Sequence, residues 1–194
     1  MPDPSTEKAQ LRQTAKAIRK TLPLPALSEI LCERLAALPA YRSARHILIY
    51  LAMPGEVTVE LLLGLPGSEA KRFYAPRCAP QRRLAIHSYV PGETPLRSGP
   101  FCIREPDADQ VPGADPADLD MVIVPAVLLS ENGDRLGYGG GYYDRFLPKL
   151  SATCLKISVL PDALVLPLLP RDSWDVPLDT VLTETRLLVR PQSP

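Results

Sequence analysis

The residues most able to do chemistry crowd into one segment, Leu136-Gly137-Tyr138-Gly139-Gly140-Gly141-Tyr142-Tyr143-Asp144-Arg145, shortly after the apolar run Met121-Val122-Ile123-Val124. Four of the chain's 11 glycines fall within it. Glycine carries no Cβ, so backbone N–H groups can turn outward and approach a ligand closely. Residues 142–150 read as a helix, which sets the glycines at its N-terminus. Strand, glycines and helix N-terminus in that order make a site for phosphate or another anion. Asp144 could then hold Mg²⁺ beside phosphates, and Arg145 could neutralise phosphoryl charge. Without that acid and arginine, the same glycines would read as a hairpin over packed aromatics.

Three further constellations bear on the same chemistry. Lys8, Arg12, Lys16 and Arg19 recur at helical spacing and form one stripe beside an apolar face. Such a stripe can overhang a groove and meet phosphates, or simply face water. Glu56 follows Pro54-Gly55 at the carboxyl end of a first strand, the edge where open α/β sheets collect ligands. It could accept hydrogen bonds from a polar heterocycle or stand as an exposed turn acid. Asp175 lies in a loop entering the last strand. If that strand neighbours the one before the glycine loop, Asp144 and Asp175 could share a metal ion; otherwise Asp175 reads as a turn or cap residue. Other chemistries fit poorly. A Gly-Lys-Ser/Thr P-loop is absent, and Tyr142 stands where a dinucleotide fingerprint needs its third glycine. No Gly-x-Ser-x-Gly elbow occurs. Two histidines, His46 and His87, and no paired cysteines make a transition-metal site improbable.

These groups need a scaffold, and the periodicity supplies one. Leu11, Ala15, Ile18 and Leu22 share a face, which predicts a helix over 8–22, with Asp3, Ser5 and Thr6 as candidate N-caps and Pro23 and Pro25 ending it. A second helix is expected over about 27–37, with Ile30, Leu31 and Leu35 inward, and a third over 57–63. Strands are expected at 46–51, 72–75, 84–89, 120–124, 154–160 and 180–183, with one long loop over 91–118 that has room for one short element. Alternating strands and helices predict one α/β domain spanning 1–194, a three-layer fold with a mostly parallel Rossmann-like sheet flanked by helices.

The chain has 194 residues, 45% of them hydrophobic and 23% charged, as in an ordinary globular domain. Its net charge is zero, so no global field argues for nucleic acid or an anionic membrane. No apolar run approaches the roughly 18 residues of a membrane span, and residues 1–10 lack the apolar core of a secretory signal. Cys32, Cys78, Cys102 and Cys154 form no C-x-x-C pair and read as reduced, mostly buried thiols of a cytoplasmic protein. The 23 prolines are spread through the connections and suggest stiff loops.

Val124-Pro125, followed by the run from Gly133-Asp134-Arg135 through Asp144-Arg145, closely resembles the signature of the 5-formyltetrahydrofolate cyclo-ligase (methenyltetrahydrofolate synthetase) family. Flanking segments agree in order: Lys8-Ala9-Gln10-Leu11-Arg12 resembles the family's amino-terminal K-x-x-L-R, Tyr50-Leu51 through Glu56-Val57 its first strand and turn, Ile103-Arg104-Glu105-Pro106 its I-x-E-P, and Asp175-Val176-Pro177-Leu178-Asp179 with Thr183-Glu184 its closing motif. The resemblance implies an ATP-dependent ligase that forms 5,10-methenyltetrahydrofolate, ADP and phosphate with Mg²⁺ as cofactor, acting as a cytoplasmic monomer on two small molecules and on neither nucleic acid nor membrane. It also implies roles. Lys8 and Arg12 would contact ATP, as would Arg135, Leu136, Gly137, Tyr138, Gly139, Gly140, Gly141, Tyr142 and Tyr143. Leu51, Glu56 and the loop from Tyr138 to Tyr142 would contact the folate, and Asp144 and Asp175 would hold Mg²⁺. Arg145, with Asp144, would act in catalysis by stabilising the moving phosphoryl group. Two departures stand out. Tyr138 replaces an arginine found in many members, with Arg135 or Lys16 as compensating cations, and Asp172-Ser173-Trp174-Asp175 replaces Glu-x-His-Asp. Trp174 is there to stack on a ring or to pack. A folate- or nucleotide-sequestering relative would keep Glu56 and the glycines but lose the acids, and a nucleic-acid module would lean on the basic helix; the retained acids and neutral charge count against both.

Overall fold

The structure, a computed structural model, describes residues 4–100 and 103–191. Helices α1 (Pro4–Arg19), α2 (Leu24–Ala37) and α3 (Pro39–Ser43) precede the first strand, and α4 (Tyr142–Phe146) follows the glycine loop. Among the described residues the strands are β1 (His46–Leu48), β2 (Arg72–Ala79), β3 (Arg83–Ser88), β4 (Leu96–Ser98), β5 (Arg104–Pro106), β6 (Gly113–Ala114) and β7 (Met121–Ile123). They continue with β8 (Leu128–Ser130), β9 (Arg135–Leu136), β10 (Leu155–Val159), β11 (Val165–Leu166), β12 (Thr180–Leu182) and β13 (Leu187–Val189).

Eight strands form the main sheet in the order β13-β12-β10-β7-β1-β2-β3-β6. Its five central strands are parallel, and the edges β13, β3 and β6 are antiparallel. Alternate residues of β1 and β7 point to opposite sides. Ile47, Ile49, Met121 and Ile123 enter a core packed under α2 and α3, and Leu48, Val122 and Val124 a second core shared with α1 and α4. Two cores on two faces of one sheet make the expected three layers. A smaller sheet, β11-β8-β9, buttresses the base of the glycine loop. No helix among the described residues is long and apolar enough to cross a membrane.

Several elements differ from expectation for identifiable reasons. Pro25 lies in the first turn of α2 rather than after α1, because the first turn has no use for an N–H there and proline's φ suits it. The segment near 57–63 is a 3-10 helix, Val59–Gly64, since one or two turns do not offset the cost of nucleating an α-helix. The 91–118 connection holds β4, β5 and β6, each of two or three residues and too short for a period to register. β13 closes the sheet beyond the strand expected to be last. The helix after the glycines spans only Tyr142–Phe146 and tightens to a 3-10 turn, Leu147–Lys149, at Pro148. Thr6 lies inside α1 rather than capping it. Asp3 and Cys102 lie outside the described residues, and Cys32, Cys78 and Cys154 are free thiols.

Candidate active site

The sheet's strand order reverses between β1, whose parallel partner β2 lies to one side, and β7, which continues to β10 and β12 on the other. Ligands of open α/β sheets collect at such a switch point, beyond the strands' carboxyl ends. A cavity of about 660 Å³ opens there, within the roughly 300–1,000 Å³ of small-molecule sites. Tyr50 and Leu51 enter it from the end of β1, Pro125 from the end of β7, and Pro76 and Cys78 from β2. The run from Arg135 to Asp144 forms one wall, Lys8 of α1 reaches in, and Trp174 and Asp175 stand on the loop before β12.

The glycine wall is shaped by conformations that side chains resist. Gly139 (φ +93°) and Gly141 (φ +67°) are left-handed, Gly141 serving as the N-cap of α4. With only five residues, α4 offers a weak dipole, so anion affinity here falls to the loop amides and nearby cations rather than to a long helix N-terminus. Arg12 braces the loop from behind, its Nε donating to the Gly137 carbonyl at 2.8 Å, and does not line the cavity.

Each expected metal acid is held by an expected phosphate cation. Lys8 Nζ lies 2.6 Å from Asp172 Oδ2 and 2.7 Å from Asp175 Oδ2. Arg135 Nη2 lies 2.7 Å from Asp144 Oδ1. Burial alone would lower the Lys8 pKa, but its bonds to Asp172 and Asp175 and their charges outweigh that and raise it. The strand leading out of Asp175, β12, neighbours β10 and not β7, so the adjacency expected from sequence does not occur; the loop before β12 nonetheless brings Asp175 to the same cavity as Asp144. Among the described residues no three His, Cys, Asp or Glu side chains cluster as a metal cage. Two buried polar atoms on this wall have no partner, Arg135 Nε and the Tyr143 hydroxyl. Burial raises the Tyr143 pKa, so the hydroxyl keeps its proton and is a donor in wait of an acceptor.

Beside the glycine wall Glu56 is buried, at 8% exposure, rather than standing as an exposed turn acid. Its Oε1 accepts from the Tyr138 hydroxyl at 2.5 Å and its Oε2 from the Met53 N–H at 2.8 Å. Burial raises its pKa, partly offset by those two donors and by the Arg19 charge.

The remaining expected residues separate clearly. Leu51, Glu56, Leu136, Gly137, Tyr138, Gly139, Gly140, Gly141, Tyr142 and Tyr143 all line the cavity. Arg145 is exposed, its Nη1 donating to the Gly141 carbonyl at 3.0 Å, and it does not line the cavity. Lys16 is exposed; the cation that reaches Tyr138 is Arg19. Trp174 is 69% exposed at the rim, which leaves it no packing role. Arg82 and Met53 also line the cavity without having been singled out from sequence. Arg82 sits at φ +56° in the turn between β2 and β3, where no glycine marks the conformation. Glu105 and Ile103 line it too, and only their place in a motif had pointed to them.

The sequence profile of the 5-formyltetrahydrofolate cyclo-ligase family matches residues 4–184. A 5-formyltetrahydrofolate cyclo-ligase of Haemophilus influenzae is 30% identical over 144 residues, 73% of this chain and 76% of that protein. One of Escherichia coli is 29% identical over 157 residues, covering 79% and 86%. The solution structure of Aquifex aeolicus 5,10-methenyltetrahydrofolate synthetase superposes with a TM-score of 0.82 at 29% identity, covering 96% of this chain and 94% of that one. The Mycoplasma pneumoniae synthetase shares the fold, with a TM-score of 0.73 at 22% identity. With the profile spanning nearly its whole length, the chain belongs to the 5-formyltetrahydrofolate cyclo-ligase family of enzymes.

Proposed function

We propose that the protein converts 5-formyltetrahydrofolate and ATP to 5,10-methenyltetrahydrofolate, ADP and phosphate in the cavity above β1 and β7, as a single-domain, cytoplasmic monomer. The observation that carries this reading is the shared cavity. It joins a glycine wall bearing two unpartnered donors, two cation-held acids and a buried carboxylate suited to a polar heterocycle.

A formamide oxygen is a weak nucleophile and a poor leaving group. Moving the γ-phosphoryl of ATP onto it breaks the β–γ bridge, releases ADP and leaves an N5 iminium phosphate. N10 then attacks that carbon and loses its proton, and phosphate departs with the C–O bonding pair as the ring becomes the methenyl cation. Positioning and charge neutralisation dominate such a transfer, and no protein nucleophile is required. Glu56 and Leu51 would orient the pterin; the amides of Gly139, Gly140 and Gly141, with Lys8 and Arg135, would hold the triphosphate. Arg12 would act through the loop it braces, and Arg145 would need to swing inward from Gly141 to reach the phosphoryl group.

The donor set suits Mg²⁺. Asp144 and Asp175 offer hard oxygens to one cavity, and Mg²⁺ is generally held by one or two carboxylates with substrate phosphates completing its sphere. Once bound there it would neutralise phosphate charge. The test is to mix protein, 5-formyltetrahydrofolate, Mg²⁺ and ATP and follow the near-ultraviolet absorbance of the methenyl product. A rise that needs ATP is expected, and Asp144→Asn should suppress it in a protein that still folds. A folded wild-type protein that gives no such rise overturns the reading.

A further inference from the structure

Arg19, at the last turn of α1, lies outside the cavity lining yet ties together the segments around Glu56. Its Nη1 donates to the Gly55 carbonyl and to the Tyr138 hydroxyl, each at 3.1 Å. Its Nη2 donates to the carbonyls of Ala126 and, at 3.3 Å, Val127, in the link from β7 to β8. One guanidinium thus fixes the turn that carries Glu56, the glycine-wall residue that touches Glu56, and the strand exit between them. Arginine's planar set of donors suits this role in a way that lysine's single ammonium does not.

We infer that Arg19 is a positioning residue for folate recognition, acting through Tyr138 and the Gly55 turn to hold the Glu56 carboxylate so that its open lone pairs face the pterin ring. The inference rests on the proposed folate role of Glu56. Each Glu56 oxygen has two lone pairs, and Tyr138 and Met53 occupy one apiece. What is left is one free acceptor position on each oxygen. The amino-pyrimidinone edge of a pterin, with adjacent ring N–H and amino donors, matches such a pair in the way a guanidinium fork does.

Binding of that edge needs the carboxylate ionised, and the surroundings pull in opposite directions. Burial disfavours the anion and the neighbouring hydroxyls of Tyr50 and Tyr143 offer no countercharge; the Tyr138 hydroxyl, the Met53 N–H and the positive charge of Arg19 favour it. Removing the guanidinium should therefore raise the proton affinity of Glu56 as well as loosen it.

The test compares Arg19→Gln, Arg19→Lys and Tyr138→Phe with wild type. In Arg19→Gln the KM for 5-formyltetrahydrofolate should rise about tenfold while the KM for ATP stays within about twofold. The acidic limb of kcat/KM for the folate should move to higher pH, and the ¹³C titration of the Glu56 carboxyl in ligand-free protein should move the same way. Arg19→Lys should keep the limb near its wild-type place because the charge remains. Tyr138→Phe should move the Glu56 titration upward, and adding Arg19→Gln to it should do less than the two separately. Equal rises in both KM values with an unmoved limb and carboxyl titration would reduce Arg19 to a merely structural tie and overturn the inference. If Arg19→Gln does not fold, an unmoved Glu56 resonance in Tyr138→Phe overturns it instead. Absence of product from wild type would sink the folate reading alone, since the carboxyl titration needs no substrate.

Discussion

Lys8→Met separates two roles that the ligand-free protein keeps superimposed. Lys8 Nζ bridges Asp172 and Asp175 at 2.6 and 2.7 Å, with a side chain 12% exposed. In the proposed complex the ammonium would contact phosphate and Asp175 would hold Mg²⁺, so the cation and the metal would compete for one carboxylate. Methionine keeps an unbranched stem of similar bulk and removes the charge. A charge-assisted contact to phosphate contributes about 2 kcal/mol, so the KM for ATP should rise about 30-fold. The competing ammonium, partly screened by water in the open cavity, holds Asp175 by roughly 1 kcal/mol, so Mg²⁺ alone should bind about fivefold more tightly. Titration calorimetry reads the metal arm. The nucleotide arm can be followed by the fluorescence of Trp174, the chain's single tryptophan, at the cavity rim beside Asp175. Deprotonation does not confuse the comparison: the Lys8 pKa is raised above its ordinary 10.5, so the ammonium is intact at neutral pH and its contribution fades only as pH climbs past that value. Weakened ATP binding with unchanged Mg²⁺ affinity would refute the competition; unchanged affinity for both would remove Lys8 from the site.

Two further substitutions probe the scaffold. Asp120 Oδ2 accepts the N–H groups of Arg45 and His46 at 2.8 and 2.9 Å, pinning the start of β1 beside β7. Burial would raise its pKa, but those N–H groups and the nearby positive charges outweigh it and hold it below 3.8. A depressed carboxyl stabilises above its unfolded value and loses that contribution as pH falls through the folded one. Asp120→Ala should therefore cost about 1 kcal/mol at pH 7, limited by screening at an exposed group, and progressively less in acid; a urea-melt gap that persists at low pH would contradict this. At Gly133, φ is +83° and a Cβ would stand 2.5 Å from the carbonyl oxygen of Leu178, the residue whose N–H donates to the Gly133 carbonyl. Gly133→Ala combines left-handed strain with a backbone clash, and roughly 3 kcal/mol should be lost in a urea melt; a loss below about 1 kcal/mol would mean the Asp134 turn relaxes at no cost.

What could be read from the chain, and what could not, divides by range of interaction. Leu11, Ala15 and Ile18 mark α1 because one face of a helix is a local property, and Met121 through Val124 mark β7 because a strand buried on both faces is apolar throughout. The glycine wall is legible for the same reason: left-handed Gly139 and Gly141 leave a compositional trace at the position that needs them. Arg82 takes an equally unusual φ without glycine, and its place in the cavity left none. The acids illustrate the other side. Asp144 and Asp175 reach one cavity, but through the loop before β12 rather than by the strand adjacency that spacing suggested, and loop trajectories over several prolines have no period.

The basic stripe shows how one local pattern conceals four different environments. Lys8, Arg12, Lys16 and Arg19 share a helical spacing, yet Lys8 enters the cavity, Arg12 braces the loop behind it, Lys16 faces water and Arg19 knots three chain segments. Helical spacing fixes only the angle around the axis. Which turn of α1 meets the cavity, which meets the glycine wall and which passes on to solvent depends on how α1 crosses the sheet, and that crossing is set by Ala15 and Ile18 packing into the core beneath it. Residues of one charge and one spacing therefore acquire separate duties from a packing choice made by their apolar neighbours. That is why Arg19, rather than the more exposed Lys16, is the cation able to govern Glu56.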